Sequence, residues 1–320
     1  MRDLSFFQVL SAEHRLLFAG CQWAKKLPSY FEDSTHDLWV CQFESDKRFL
    51  KLCSTSGCVS SEFWQVVHHL FGFELAFSLS EYDEVYQKMA LWSPLQIPKL
   101  FYSVSCCRVV KEGGGKFSGF LLTEYLEGEG VTSNQLTLKQ VMQMAEHVAL
   151  LHQRTQGCFG ALFKTEENSP PRLNQEMASR GVTAWKARLK QTLVVCNKHQ
   201  KIPHEAIARA VQGVDDLNMS AFHPIMLDFR WDQFLQIGGG ENLALLDLDA
   251  MVWAPKELEL VMLEYLLSPE QAEAFLSVYI QYHPRPSLEL ERVVYRVLLF
   301  EMNVLGEKDF NRWMAHPVCF

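Results

Sequence analysis

The sequence predicts an α+β protein of two lobes, a small β-rich lobe followed by a larger, mostly helical one. Residues 37–53 alternate between apolar and polar side chains around a polar turn, which is typical of a β-hairpin. From Thr137 onward, apolar residues recur at the three- and four-residue spacing of a helix face. Between these regions, the Glu-Gly-Glu-Gly segment at 127–130 is a shift in composition of the kind found at domain boundaries. We therefore expect lobes at residues 1–127 and 128–320.

Composition and charge exclude several classes of protein. Of the 320 residues, 48% are hydrophobic and 21% are charged, as in ordinary globular proteins. The net charge of −8 argues against a nucleic-acid or anionic-membrane surface built on positive charge. No stretch reaches the roughly 18 uncharged apolar residues of a membrane span, and the first residues do not resemble a secretory signal. We expect a cytoplasmic protein with no transmembrane segment.

The nine cysteines are an odd number and contain no C-x-x-C pair. This spacing is typical neither of a zinc site nor of a disulfide framework. We expect reduced and mostly buried thiols, as in cytosolic proteins.

A lysine lies in the second strand of the first predicted hairpin, whose strands are residues 38–43 and 48–53. The period of two places Lys51 on the same face as Phe49 and Cys53. Such a lysine either protects an edge strand from pairing with other chains or has a buried partner of opposite charge. Both explanations remain open at this point.

The sequence from Ser80 predicts a helix that runs to about Trp92, with serine as its cap and acids in its first turn. The helix dipole alone accounts for an acid such as Glu81 in that turn. Glu84 lies one turn further along, where it could reach the strand of Lys51.

The sequence predicts one further hairpin before the expected lobe boundary and one helix after it. Gly113–Gly115 predicts a turn between strands at 106–110 and 120–126. A capping box at Thr137 then opens a helix that ends near His152. A histidine that closes an apolar stripe is more typical of packing than of catalysis, so we expect His152 to be structural.

Two aspartates flank a predicted hairpin in the last third of the chain. Asp228 precedes a strand at 234–237, a glycine-rich turn at 238–242 and a second strand at 243–246, which ends at Asp247. A hairpin of this length brings the two acids close together. Paired carboxylates suit magnesium and phosphate chemistry, although each acid could also serve only as a strand or turn cap.

The order of a strand lysine, a helix acid, a hinge at 123–128 and two acids around a hairpin resembles the protein-kinase-like fold. The sequence is most similar to the aminoglycoside/choline phosphotransferase branch and to the related bacterial lipopolysaccharide core sugar kinases. The resemblance covers about residues 30–270. It includes a hinge strand that ends in Glu-Tyr-Leu-x-Gly and a following helix that ends in Leu-His, here Leu151-His152.

The resemblance implies an ATP- and Mg²⁺-dependent phosphotransferase that acts on a hydroxyl of a small molecule or sugar. By this resemblance, Lys51 contacts the nucleotide phosphates and Glu84 holds Lys51, with Glu81 as the alternative. It also implies nucleotide contacts from Glu124 and Leu126 in the hinge.

The resemblance assigns roles to the residues around the second hairpin as well. Asp228 matches the aspartate that orients or deprotonates the acceptor hydroxyl, and Asp247 matches the metal-binding aspartate. Asp249 stands nearby as a supporting acid. Gln233, five residues after Asp228, occupies the position of a second metal ligand, where most of the family has asparagine.

The chain departs from the family pattern at the phosphate turn and next to Asp228. Arg230 stands where related enzymes have histidine, and no glycine lies between Gly20 and Gly57. The expected phosphate-covering turn at 29–35 therefore lacks the residue that lets backbone amides approach a phosphate closely.

These departures leave two alternatives to an active phosphotransferase. One is a kinase-like protein that has lost catalysis and serves as a binding or regulatory module. The other is a mixed α/β protein whose acids are purely structural.

Overall fold

A computed structural model describes residues 10–28, 34–105, 117–132, 135–163, 180–197 and 201–320. Its strands are β1 (Trp23–Lys26), β2 (His36–Gln42), β3 (Lys47–Ser54), β4 (Leu100–Ser105), β5 (Phe117–Glu124), β6 (Glu129–Gly130), β7 (Gly160–Ala161), β8 (His223–Met226), β9 (Phe234–Ile237), β10 (Asn242–Leu245) and β11 (Met251–Ala254). Its helices are α1 (Ala12–Leu16), α2 (Thr55–Ser60), α3 (Glu62–Phe71), α4 (Leu75–Ser78), α5 (Tyr82–Trp92), α6 (Leu138–His152), α7 (Val182–Val195), α8 (His204–Gly213), α9 (Lys256–Leu263), α10 (Pro269–Tyr279), α11 (Glu289–Glu301) and α12 (Phe310–Met314). Across these ranges, every helix is too short or too polar to cross a membrane.

The N-terminal part of the chain contains a five-stranded antiparallel sheet in the order β1-β2-β3-β5-β4. The predicted hairpin is confirmed as β2 and β3. Within it, Lys51 pairs with Leu38 on one side and Leu121 on the other. Because β3 is a central strand, the edge-strand explanation for Lys51 does not apply.

The alternation of side chains along β3 divides the hydrophobic core between the two faces of the sheet. Leu50 and Leu52 pack with Phe120 in a small cluster on one face. Cys53 belongs to the main core, which includes most of the helices. Lys51, which alternates with the two leucines, therefore faces the helical part of the molecule.

Four helices connect β3 to β4, and the last of them is the predicted helix near Ser80. It begins later than expected, since a 3₁₀ turn at Leu79–Glu81 precedes α5. The expected capping role of Ser80 is wrong: its hydroxyl donates to Glu81, and α5 begins without a side-chain cap. Acids in the first turn are still favoured by the helix dipole.

Some predicted elements fall partly or wholly outside the described residues. The glycine turn at 113–115, the strand at 106–110 and positions 29–33 of the phosphate turn lie there. At the N-terminus, the described helix is α1. The described cysteines are free, and all except Cys319 are buried.

The helical part of the chain begins with α6, and its predicted capping box is confirmed. The Thr137 side chain accepts the backbone N–H of Gln140, and the Gln140 side chain accepts that of Thr137. At the other end of α6, His152 is buried, with Nδ1 3.0 Å from the Tyr279 hydroxyl and Nε2 2.9 Å from Glu259. His152 is therefore a structural histidine.

The strands that follow the N-terminal sheet in the sequence form two three-stranded sheets, with the strand orders β10-β9-β6 and β7-β11-β8. The predicted second hairpin is confirmed as β9 and β10. Its turn places Gly238, Gly239 and Gly240 at φ values of 61°, 72° and 89°, a region that side chains with a Cβ rarely adopt. The strand β11 follows β10 and pairs with β8, so the loops after β8 and β10 come together.

The segment at the predicted lobe boundary packs tightly against this hairpin. Residues Glu129–Gly130 form β6, which pairs with β9. A Cβ added to Gly128 would lie 2.3 Å from the carbonyl oxygen of Gln236, so glycine is required for this close approach. The division into lobes at residue 127 stays a prediction.

Candidate active site

The candidate site forms where the loops after β8 and β10 meet the face of β3 that carries Lys51. The backbone N–H of Leu227 donates to the carbonyl of Ala250 at 3.1 Å, which holds the two loops together. Asp228 follows β8 and Asp247 follows β10, and Lys51 reaches Asp247 from the sheet. Two parts of the chain that are distant in the sequence, the strand β3 and the β9–β10 hairpin with its flanking loops, thus contribute to one site.

The ammonium group of Lys51 contacts two carboxylates. Its Nζ lies 2.7 Å from Asp247 Oδ1 and 2.6 Å from Asp249 Oδ2. Burial of Lys51, which is only 4% exposed, would lower its pKa, but the two carboxylates outweigh burial and raise that pKa above its usual range. Lys51 is therefore a fixed positive charge.

The two aspartates respond differently to the shared environment. Burial favours the neutral form of Asp247, but Lys51 and His36 outweigh burial and lower its pKa to about 2. Burial, together with the negative charge of Asp247, raises the pKa of Asp249 despite the contact with Lys51. The backbone N–H of Asp249 also donates to Asp247 Oδ1 at 3.0 Å, which fixes the Asp247 side chain relative to the Asp249 backbone.

His36 and Tyr82 complete the surroundings of Asp249, and sequence reasoning missed both. His36 Nε2 lies 3.4 Å from Asp249 Oδ2; burial lowers the pKa of His36, but the charge of Asp249 and a hydrogen bond with Cys53 together outweigh burial and raise that pKa. The Tyr82 hydroxyl donates to the backbone carbonyl of Asp249. A sequence signal for His36 existed, since the register of the first hairpin places it opposite Cys53, on the face of Lys51.

The expected ion pair between Glu84 and Lys51 is not formed. The Glu84 carboxylate instead lies 2.5 Å from the ammonium of Lys88, one turn along the same helix. The alternative partner, Glu81, is exposed and accepts the Ser80 hydroxyl. Neither acid is an ion-pair partner of Lys51 in the part of the chain that the structure describes.

The packing of α5 explains why its acids do not reach the site. Tyr82, Val85, Tyr86 and Met89 are its buried residues, at the spacing of one helix face. Glu84 lies off this stripe. The helix therefore presents tyrosines rather than carboxylates to the interior.

Both oxygens of the Asp228 carboxylate are in contact with neighbouring side chains. Oδ1 lies 3.0 Å from Arg230 Nε, and Oδ2 accepts a hydrogen bond from Gln233 Nε2 at 3.1 Å. Burial raises the pKa of Asp228 to about 7, and the negative charge of Asp247 adds to this, while Arg230 opposes it. A carboxylate with a pKa near neutrality is suited to general-base catalysis.

Gln233 ends the 3₁₀ turn Trp231–Gln233 and is buried. Its backbone carbonyl accepts the N–H of Leu246 at 2.8 Å, which ties it to the end of β10. Its side-chain amide is engaged with Asp228 through the nitrogen. The expected role of Gln233 as a metal ligand through its amide oxygen stays a prediction.

The acids of the site fit magnesium as a partner of nucleotide phosphates. No cluster of three or more His, Cys, Asp or Glu side chains suited to a metal occurs within the described ranges. Asp249 Oδ1 is nevertheless buried without a hydrogen-bond partner among the described residues, and Asp247 retains 26% side-chain exposure. Magnesium is commonly held by one or two carboxylates, with phosphates and water as its remaining ligands.

The expected hinge residues lie at the end of β5 and just beyond it. The Glu124 backbone N–H donates to the Lys99 carbonyl at 2.7 Å, and the Glu124 carboxylate accepts the Lys99 N–H at 3.2 Å. Leu126 follows and is half-buried. Contact of Glu124 and Leu126 with a nucleotide stays a prediction.

Helix α6 holds the tip of the β9–β10 hairpin. Gln140 Nε2 donates to the carbonyl of Gly240 at 2.8 Å, and Gln143 Nε2 contacts the Asn242 side chain at 3.1 Å. The base of the hairpin is held by the bond between Leu246 and Gln233. Both ends of the hairpin that separates the two acids are therefore fixed.

Comparisons with known proteins give the fold. No protein-family model matches the chain, and no curated protein matches it. A solved structure assigned as a fructosamine-3-kinase from Haemophilus somnus 129PT is 15% identical, with a TM-score of 0.60, over 97% of this chain and 98% of that one. The macrolide 2'-phosphotransferase MphH from Brachybacterium faecium is 12% identical, with a TM-score of 0.55, over 91% and 90%. A spectinomycin phosphotransferase in complex with ADP and spectinomycin is 12% identical, with a TM-score of 0.55, over 96% and 93%.

These similarities confirm the predicted α+β, protein-kinase-like fold. They extend over nearly the whole of each chain, so the likeness is not limited to one half of the molecule. The similarity to lipopolysaccharide core sugar kinases stays a prediction.

Proposed function

We propose that this protein is a magnesium-dependent phosphotransferase that moves the terminal phosphoryl group of ATP to a hydroxyl of a small molecule or sugar. The observation that supports this most directly is the convergence of Lys51, from the N-terminal sheet, with Asp228 and Asp247, from the two ends of one hairpin. In a fold shared with small-molecule phosphotransferases, this convergence is more specific than any of the three residues alone.

Each of the three residues has chemistry that phosphoryl transfer requires. Lys51 is a permanent positive charge that can neutralise phosphate oxygens. Asp228 can accept the proton of an acceptor hydroxyl as its oxygen bonds to the γ-phosphorus and the bond from that phosphorus to the leaving ADP oxygen breaks. Its pKa of about 7 keeps a substantial fraction ionised at neutral pH.

Asp247, the more exposed of the two acids that contact Lys51, is the residue that would hold magnesium, with Asp249 beside it as a supporting acid. When bound, magnesium supplies charge neutralisation for the nucleotide phosphates. Glu124 and Leu126 are proposed to contact the nucleotide at the hinge, and Gln233 is proposed as a further ligand if its amide turns away from Asp228.

A thermal-shift titration with ATP and with GTP, each with and without Mg²⁺, tests nucleotide binding. A nucleotide at about 100 times its dissociation constant should add roughly 2.7 kcal/mol to the free energy of unfolding. We expect this stabilisation to require Mg²⁺ and to be lost in Asp247→Asn. Asp215→Asn, at an exposed acid paired with Lys190, is the matched control and should retain it. The same melting temperature with and without saturating nucleotide would contradict the proposal.

A second candidate function is a nucleotide-binding regulatory protein without turnover. It is favoured by the engagement of the Gln233 amide with Asp228, at the position where the family usually has asparagine. ADP formation should be measured with a panel of sugars, aminoglycosides and amino alcohols. Nucleotide binding with no Asp228-dependent ADP formation across that panel would favour this second candidate.

A further inference from the structure

The two carboxylates that contact Lys51 differ in their surroundings. The side chain of Asp247 is 26% exposed, whereas that of Asp249 is 6% exposed. The backbone of Asp249 is also anchored, because its carbonyl accepts the Tyr82 hydroxyl and its N–H donates to Asp247. Asp249 is thus the deeper and more rigidly held of the two partners of Lys51.

Helix α5 offers Lys51 no carboxylate. Its interior face carries Tyr82 and Tyr86, and the Tyr86 hydroxyl is buried without a hydrogen-bond partner in the described part of the chain. Glu84 is engaged by Lys88, whose ammonium also donates to the carbonyl of Leu162 at 2.9 Å. The acid that fixes Lys51 must therefore come from another element.

Lys51 needs an acid that is not also required by a metal ion. A buried ammonium is strongly destabilising when its partner is removed, and a carboxylate bound to a divalent cation has less negative charge to share. Asp247, the more exposed acid, is the better placed of the two to meet an ion that enters with a nucleotide. Asp249 then remains as the partner of Lys51.

We propose that Asp249 is the positioning residue for Lys51, in the role that the sequence assigned to an acid of α5. The inference rests on the proposed function, because it concerns how the lysine is presented to nucleotide phosphates. Asp249 holds the ammonium from the interior side, and His36 and Tyr82 hold Asp249. Lys51 thereby keeps its place when Asp247 is occupied by another cation.

The first part of the test uses the protein without nucleotide. Proton exchange of the Lys51 ammonium can be followed by NMR on protein with ¹⁵N-labelled lysine, and the signal is assigned with Lys51→Arg. We expect Asp249→Asn to shift this signal and to accelerate its exchange at least about tenfold, since a charge-assisted hydrogen bond is lost. Glu84→Gln, the matched change at the helix acid, should leave the signal unchanged.

The second part measures nucleotide affinity by calorimetry with Mg²⁺ present. Asp249→Asn should weaken ATP binding at least about tenfold, as expected for loss of an interaction to a charged group. Glu84→Gln should bind ATP within about twofold of the unmodified protein. Thermal melts of both variants establish that each is folded.

An unchanged Lys51 signal in folded Asp249→Asn, or a Glu84→Gln variant that accelerates exchange as much, would overturn the inference. If Asp249→Asn does not fold, the test relies on Glu84→Gln and Glu81→Gln. A changed Lys51 ammonium signal in either variant overturns the inference, and unchanged signals in both support it. The NMR measurement of the Lys51 ammonium is made without nucleotide, so its result can support this inference even if the protein does not transfer phosphate. Nucleotide-dependent stabilisation together with an unchanged signal in Asp249→Asn would reject this inference alone.

Discussion

The side-chain amide of Gln233 donates a hydrogen bond to Asp228 at 3.1 Å, while Arg230 contacts the other carboxylate oxygen at 3.0 Å. The carboxylate is therefore held at both oxygens. Hydrogen bonds to a charged carboxylate favour its ionised form, whereas burial favours its neutral form. Here burial outweighs its partners, which leaves the pKa of Asp228 at about 7.

Replacing Gln233 by methionine should raise the pKa of Asp228 further. The substitution keeps the approximate length and volume of the side chain and removes the donor to the carboxylate. The midpoint should move to higher pH when the Asp228 carboxyl carbon is followed by ¹³C NMR. Gln87→Met is a matched control, because Gln87 also donates to an aspartate, but on the exposed surface of α5. A midpoint for Asp228 that stays the same in Gln233→Met would show that this hydrogen bond does not influence its ionisation.

Phosphotransfer should rise with pH and reach half of its maximum near pH 7. The base must be ionised to accept a proton, and its pKa of about 7 places the change in the range from pH 6 to 8. Asp228→Asn should lower kcat by about 10²- to 10⁴-fold, the usual contribution of a general base, with nucleotide binding retained. Initial rates of ADP formation at saturating substrate between pH 5.5 and 8.5 would measure both effects. Rates that fall across this range would argue against Asp228 as the base.

Glu259 should contribute a decrease in the free energy of unfolding as pH rises from about 4.5 to about 8. This buried acid accepts the backbone N–H of Met226 at 2.7 Å and lies 2.9 Å from His152. Burial raises its pKa from 4.5 to about 8, so the native state binds more protons than the unfolded state within this window. Glu259 therefore stabilises the fold fully below pH 4.5, and this contribution is lost as pH rises through the native pKa.

Glu259→Gln should flatten this dependence, because glutamine retains the acceptor for Met226 and does not titrate. Between pH 6 and 8 the change in the free energy of unfolding should differ between the two proteins by at most about 2.7 kcal/mol, the limit for one proton over two pH units. Urea unfolding at several pH values would measure it, with Glu273→Gln at an exposed position of α10 as the control. Parallel curves for Glu259→Gln and the unmodified protein would mean that Glu259 keeps a normal pKa in the fold.

Gly128→Ala should destabilise the protein by about 1 to 3 kcal/mol, as overpacking commonly does. The added methyl would lie 2.3 Å from the Gln236 carbonyl oxygen and 2.8 Å from the Leu235 side chain, so β9 or the hinge must move. Gly130→Ala is the internal control, since nothing lies within 4 Å of its Cβ position, and it should change stability by less than about 0.5 kcal/mol. Chemical denaturation of the two variants gives the comparison, and equal effects would refute the requirement for glycine at residue 128.

The sequence predicted those parts of the site that depend on local patterns. The alternation along β3 identified the face of Lys51, and the glycine turn predicted the hairpin that brings Asp228 and Asp247 into one region. These features are determined by side-chain period and turn chemistry within about 20 residues.

The choice of partner for Lys51 could not be derived in the same way. It depends on which face of α5 packs inward and on a contact between residues 198 positions apart. The inward-facing side of α5 could have been predicted from the sequence, because Tyr82, Val85, Tyr86 and Met89 have the spacing of a buried stripe. The orientation of the Gln233 amide depends on side chains packed around it in three dimensions, which no local pattern specifies.

The hairpin between Asp228 and Asp247 should accept inserted residues less readily than most surface turns. Loop tips are generally the places where a chain accepts extra residues at little cost. Here the tip is bonded to Gln140 of α6 and the base to Gln233, so an insertion at Gly239 would break the first attachment while the second remained. The paired base of the hairpin, and not the length of its turn, therefore sets the separation of Asp228 and Asp247, so an insertion at the tip would lower stability while leaving the two acids in place.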